Sequence, residues 1–484
     1  MRSLLFFVVL LRIPATAQHF QHLSFVDQPL GPPPVEWVWA FSEGLAPIIT
    51  STDGGEGLQA LHIQGNFSTS KAGYMVQRDT SRYPGLQALR VTTRVHVKTG
   101  APSVEFFAYT TTAEGNTLNY QMARAEAANG WQDLALTCWV DENVGILRIG
   151  LQFKGEVDLL VDRFEVATAP RATAPLAPAL ANYTEELLTL VEAHSLVRSS
   201  LNMSALRDDL HQLLAGGTSV ADLQPVANFF LKSIDKHSFY WSKAEVDAWR
   251  GTDAEGAEEP TGEAVFDFPI TTGHMIGEDV AYLNMPQFNS GNPAWDTYFA
   301  DTLHGLIRAL DRPGIKGWVL DLRQDHGGNC WPMLAGIGPI LGTGVCGSFG
   351  AGDDRSEWSY NAGSSMMDDS AQCTVSGPAY VPLDPHPRVA VITGPGTASS
   401  GEVVAVAFRG RPDTRSFGAP TAGYSTTNTN FELSDGAMLF LATSVYVDRE
   451  MNAYGEALPP DEPVADRVDG DAPLERAVQW LRSR

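Results

Sequence analysis

Two adjacent hydroxyls, Ser399 and Ser400, sit in the stretch GPGTASSGEVVAVAF at 394–408, between a Gly-Pro-Gly turn and a run of helical character. Backbone N–H groups at a helix start lack intrahelical partners, and the helix dipole favours negative charge there. An oxyanion forming beside Ser399 would therefore be stabilised. Serine also serves as a plain helix cap, its commoner use. The GxSxG elbow of α/β hydrolases is not met, because Thr397 stands where its first glycine should be. A second stretch, DLRQDHGGN at 321–329, follows an apolar strand, and its glycines Gly327 and Gly328 can turn backbone N–H groups toward a ligand. A third, SIDKHSFYW at 234–242, carries His237. Imidazole is the usual group for taking a serine proton near neutral pH, and His326 is a rival for that role.

The elements that must position these residues follow from hydrophobic periodicity. From 20 to 166 apolar and polar residues alternate, as in Leu89, Val91, Val95, Val97 and Leu147, Ile149, Leu151, Phe153. That predicts an all-β sandwich of the jelly-roll kind. ATAPRATAPLAPAL marks an extended tether over 167–182. The period becomes helical at Leu187, Leu188, Val191 and again at Leu206, Leu210, Leu213, predicting a small helical bundle over 183–250, with Asn202 or Ser204 as a cap. GTDAEGAEEPTGEA at 251–264 is an acidic loop. From 265 to 484 strands (279–285, 317–322, 388–393) alternate with helices, the pattern of an α/β core. The Gly-, Ser-, Asp- and Pro-rich residues 342–387 are expected to form a lid or structured insertion.

A chain of 484 residues implies several domains, and a formal charge of −24 excludes a basic footprint for nucleic acid. MRSLLFFVVLLRIPATAQ has Arg2, an apolar stretch and Ala15-Thr16-Ala17, as in a signal peptide over 1–17. A membrane anchor would need ~20 apolar residues, and Arg12 interrupts the run. The expected location is secreted or periplasmic. Cys138, Cys330, Cys346 and Cys373 lack CxxC spacing, which favours disulfides over zinc, Cys346 with Cys373 being the preferred pair.

Together these stretches resemble the tail-specific (C-terminal processing) serine peptidases, most closely their tricorn-core and interphotoreceptor retinoid-binding branch. The resemblance runs over about 183–470. It rests on Asp235-Lys236-His237-Ser238, Ala281-Tyr282-Leu283, Asp321-Leu322-Arg323 with Gly327-Gly328, Thr397-Ala398-Ser399-Ser400-Gly401-Glu402, Gly418-Ala419-Pro420-Thr421-Ala422-Gly423 and Pro460-Asp461, in that order. It implies a ClpP/crotonase-like core, a peptide or unfolded-protein substrate, and neither metal nor cofactor. By the same resemblance Ser399 is the nucleophile of a serine endopeptidase, Ser400 with Gly327 or Gly328 holds the oxyanion, and His237 is the base. In the processing branch a lysine 25 residues after the nucleophile is the base; Tyr424 stands there, which excludes a Ser-Lys dyad. Asp325 replaces the usual asparagine of the DLR motif. Tyr454 occupies the place of a catalytic glutamate, leaving Glu456 and Asp448 as nearby acids, with Glu456 the candidate orienting acid. The competing class is a non-catalytic, retinoid-binding-like carrier on the same fold. The N-terminal sandwich resembles galactose-binding-like jelly rolls, a resemblance that implies a candidate glycan-docking face at Trp37, Trp39 or Trp131 where these are exposed, although the core is the commoner place for such residues.

Overall fold

In the computed structural model the described residues are 20–483, apart from 26–27, 33–34, 41–47, 52–58, 68–72, 100–102, 114, 116, 126–129, 170–173, 252–268, 291, 351–354 and 468. The signal peptide and nearly all of the acidic loop lie outside them. Two compact units divide the chain. One takes the residues up to Thr189 with Ser199–Tyr240, the other Leu190–Arg198 with Trp241–Arg484.

In the first unit the alternation becomes β1 (Val38–Ala40), β2 (Ile48–Ser51), β3 (Gln59–Phe67), β4 (Gly73–Asp79), β5 (Gln87–Thr99), β6 (Ser103–Thr111), β7 (Thr117–Ala125), β8 (Gln132–Val140) and β9 (Ile146–Thr168). The long β9 belongs to two sheets: its first half pairs with β4 and β6, its second with β3 and β5. Residues of one parity, such as Phe106, Leu151 and Phe153, are fully buried, which is the sandwich the pattern requires. Trp37 is part of this core, 2% exposed and 4.7 Å from the Phe164 ring, so it is not a docking residue. Trp131 is half-buried under the Arg94 guanidinium.

Helices α1 (Pro178–His194), α2 (Met203–Leu213) and α3 (Gln224–Ile234) follow. Asn202, rather than Ser204, caps α2, its side chain accepting from Ala205 N at 3.2 Å. Because β9 runs to Thr168 and α1 starts at Pro178, the tether expected over 167–182 is confined to 169–177. Its Pro-Ala composition suits a helix start as well as an extended chain, since proline is tolerated in the first turn.

After β10 (Phe239–Trp241) and α4 (Lys243–Gly251), the second unit is built on the sheet β11-β12-β13-β18-β19-β23. Its strands are β11 (Thr272–Ile276), β12 (Val280–Asn284), β13 (Gly317–Asp321), β18 (Val389–Thr393), β19 (Thr414–Gly418) and β23 (Glu462–Pro463). All pairs are parallel except β11–β12. Both faces are covered, so β13 and β18 are buried at every residue. Leu283, Trp318, Leu320 and Val391 share one core with α5 (Pro293–Leu310), α6 (Cys330–Leu341) and α7 (Ser400–Ala407). Val280, Val319, Ala390, Ile392 and Phe417 share the other with α8 (Ala472–Arg482).

The stretch 342–387 is a structured insertion. It supplies β14 (Gly344–Phe349), β15 (Ser356–Asn361), β16 (Ser364–Met367) and β17 (Ser370–Thr374), an antiparallel series joined through β14 to β21 (Met438–Asp448). Strand β21 also pairs with β20 (Thr426–Glu432) and β22 (Ala453–Tyr454). The glycine and serine content hides the alternation, but Trp358 and Tyr360 are 0% and 4% exposed and anchor the meander. The expected Cys346–Cys373 disulfide is absent: all four cysteines are buried free thiols. Cys346 lies on β14 and Cys373 on β17, with β15 and β16 between them, so three strand spacings of about 4.8 Å hold them more than twice as far apart as the ~6 Å of bridged Cα atoms.

Candidate active site

Because β13 and β18 are parallel neighbours, the turns leaving their C-terminal ends meet, as ligand sites do in open α/β sheets. Thr397 Oγ1 donates to Leu322 O at 2.9 Å, and Ala398 N to Asp325 O at 2.9 Å. His326 Nδ1 bonds Gly396 O at 2.8 Å. A carbonyl only accepts, so Nδ1 carries the proton and the His326 ring braces the Gly-Pro-Gly turn. The approach is possible only without side chains: a β-carbon on Gly327 would stand 2.8 Å from that of Ser399, and one on Gly401 2.8 Å from the Asp325 carboxyl carbon.

Ser399, half-buried at the head of α7, has φ 50° and ψ −115°, a conformation L-residues rarely adopt. Its neighbour Ser400 is 6% exposed and donates from Oγ to Gly328 O at 2.7 Å. The Gly327 amide is taken by Asp325 Oδ1 at 3.0 Å, while Gly328 is exposed at φ 119°. The phenol of Tyr446, on β21, interacts with the Ser399 side chain, and burial holds it well above its ordinary pKa. Composition and spacing give Tyr446 no mark in the sequence; only the β14–β21 pairing places that strand.

Glu402 ties two of the motifs together. Fully buried, it accepts from Ser399 N (2.9 Å) and Tyr424 N (2.7 Å) on Oε2, and from Gly423 N (2.9 Å) and the Thr421 hydroxyl on Oε1. The Gly418–Gly423 motif therefore wraps the glutamate that holds the nucleophile turn. Burial raises its carboxyl pKa despite these bonds. Arg323 of the DLR motif joins Asp321 to the α8 cap Asp471 (Nη2 to Asp471 Oδ2, 2.7 Å), and Asp461 of the closing Pro-Asp pair accepts from Ser416 N at 2.7 Å.

His237 lies in the first unit, half-buried in the loop after α3. Asp235 shapes that loop, its Oδ1 accepting from His237 N at 2.8 Å and from Ser238 N at 2.6 Å. Glu456, in the second unit, is exposed, and its carbonyl accepts from Ser425 Oγ. The Asp448 carboxylate is occupied by Asn452 and by Tyr454 Oη at 2.6 Å. Although burial opposes it, these bonds lower its pKa. Among the described residues no group of three or more His, Cys, Asp or Glu could hold a metal ion, and no helix is long and apolar enough to cross a membrane.

A serine on a strand–turn–helix thus stands beside a glycine turn at the C-terminal edge of a mixed sheet. Residues 279–464 match the model of peptidase family S41, and this segment is an S41 domain. The nisin-resistance protein of Lactococcus lactis subsp. lactis is 26% identical over 202 residues, which is 42% of this chain and 60% of that protein. The chain thus spans 60% of the length of this curated relative. A lipoprotein structure from Streptococcus agalactiae is 24% identical, with TM-score 0.46, covering 63% of this chain and 97% of that one. The photosystem II D1 C-terminal processing protease is 14% identical, with TM-score 0.42, covering 63% and 98%.

Proposed function

We propose that this protein is a secreted serine endopeptidase acting on flexible peptide or unfolded protein. His237 takes the Ser399 hydroxyl proton as Oγ bonds to the peptide carbonyl carbon. The C–N bond then breaks as the imidazolium returns the proton to the leaving amine, and water hydrolyses the acyl-enzyme by the same steps. The observation that carries this reading is the Ser399 backbone, held at φ 50° on a strand-to-helix turn. The exposed Gly328 amide, with Ser400 N at the start of α7, suits the oxyanion better than the Gly327 amide, which Asp325 holds.

A fluorophosphonate probe should label folded, mature protein at Ser399, located by peptide mass spectrometry. His237→Ala should slow labelling on the order of 100-fold or more, as loss of a general base does. Folded protein that stays unlabelled and retains an apolar ligand would leave the carrier reading instead. Tyr446→Phe, which removes only the hydroxyl facing Ser399, should slow labelling by about tenfold, the worth of one neutral hydrogen bond. An unchanged rate would reduce Tyr446 to packing.

A further inference from the structure

We propose that Asp325 stands in the nucleophile turn as a neutral carboxylic acid, an isostere of a carboxamide, and that its ionisation sets the upper pH limit of the site. The proposal rests on the Ser399 reading and adds a positioning residue to it. Asp325 is 0% exposed. Its Oδ1 accepts from Gly327 N at 3.0 Å and its backbone carbonyl from Ala398 N at 2.9 Å, so it ties the glycine turn to the nucleophile turn. Its Oδ2 is buried without a hydrogen-bond partner, and the carboxyl carbon packs against Gly401 in the first turn of α7.

An enclosed carboxylate with one oxygen unsolvated is far costlier than the neutral acid. Burial accordingly holds this carboxyl well above the usual carboxylate range. The titratable groups around the turn do not offset that. On α6 the Cys330 thiol is pushed up to about 12 by burial. Glu402 on α7 and Tyr446 on β21 add no positive charge, the His326 ring faces Gly396, and the Arg323 guanidinium is engaged by Asp321 and Asp471. A negative charge on Asp325 would sit beneath the helix start that must receive the oxyanion, and would oppose it.

The sign of the linkage is set by the raised pKa. The native state keeps a proton that the unfolded chain, with an aspartate pKa near ~3.9, has already released, so stability falls as pH rises above that value. Urea unfolding of the full mature chain and of Asp325→Asn, between pH 5 and 8, reads this without any catalysis. Relative to the variant, the wild-type unfolding constant should rise with pH, by up to about tenfold per pH unit for as long as the native carboxyl keeps its proton. Parallel pH dependences would show a carboxylate already ionised in the native state and overturn the proposal. In a second arm, labelling of Ser399 should fall at alkaline pH in the wild type and persist in Asp325→Asn. The same alkaline fall in both would overturn the positioning role. Absence of labelling at every pH would instead remove the peptidase reading, leaving unfolding to decide the state of Asp325.

Discussion

Replacing Ser399 by glycine is expected to abolish hydrolysis and, at the same time, to make the second unit more stable than Ser399→Ala does. Loss of the nucleophile lowers turnover on the order of a millionfold in a serine peptidase, leaving what binding and oxyanion stabilisation provide. The stability effect has a different origin. At φ 50°, ψ −115° a β-carbon is strained by roughly 1–3 kcal/mol, and glycine alone is free of that strain. Glycine returns about 0.5–1 kcal/mol of it as extra chain entropy in the unfolded state, so a net gain of about 1 kcal/mol should remain. Alanine keeps the β-carbon and the strain, and like glycine it gives up the contact with the Tyr446 hydroxyl, so the two variants differ by the strain and the chain entropy alone. Urea midpoints of the three proteins measure this directly. A glycine variant no more stable than the alanine variant would show that the turn is relaxed, and probe labelling at another residue in either would move the nucleophile elsewhere.

Glu402→Ala should cost on the order of 5 kcal/mol, enough to unfold much of the second unit at room temperature. The side chain is fully buried and serves three backbone amides and one hydroxyl; each donor left without an acceptor costs about 1–3 kcal/mol. Glu402→Gln keeps one acceptor oxygen and turns an amide toward two of the donors, so its loss should be about half as large. This graded pair keeps the test informative where the alanine variant does not fold. Wild-type urea midpoints in both would mean that the turn is held by Thr397 and the glycine contacts instead. The two expectations concern one device: Glu402 holds the strained conformation that Ser399→Gly would release.

Much of this was legible in the residues themselves. Ser399 was marked by hydroxyls at a strand-to-helix turn, and the strands 279–285, 317–322 and 388–393 were marked by unbroken apolar runs, because a parallel sheet covered on both faces tolerates nothing else. The order of short motifs was visible too, although not the reason for it. Thr421 and Gly423 are needed where they are because their donors point at a glutamate about 20 residues earlier in the chain.

Local pattern could not supply what depends on strands distant in sequence. In residues 342–387 glycine and serine dilute the period-two signal, so the sequence allows a lid or a structured insertion, and only the burial of Trp358 and Tyr360 across strand pairs shows the meander. Cys346 and Cys373 are the pair preferred from the sequence, but the two strands between their own hold them apart. For Trp37 the sequence leaves core and docking face both open, and the closed sandwich decides for the core. Asp325 was visible as a departure from a motif, and only its enclosure, with one oxygen unpartnered, turns that departure into a statement about charge. Residue types and order determined the chemistry on offer, because a nucleophile, a base and the glycines that admit a backbone amide are chemical identities. Tertiary structure decided which groups are enclosed and which amides are already taken, because desolvation and hydrogen-bond competition arise between segments that the chain brings together only on folding.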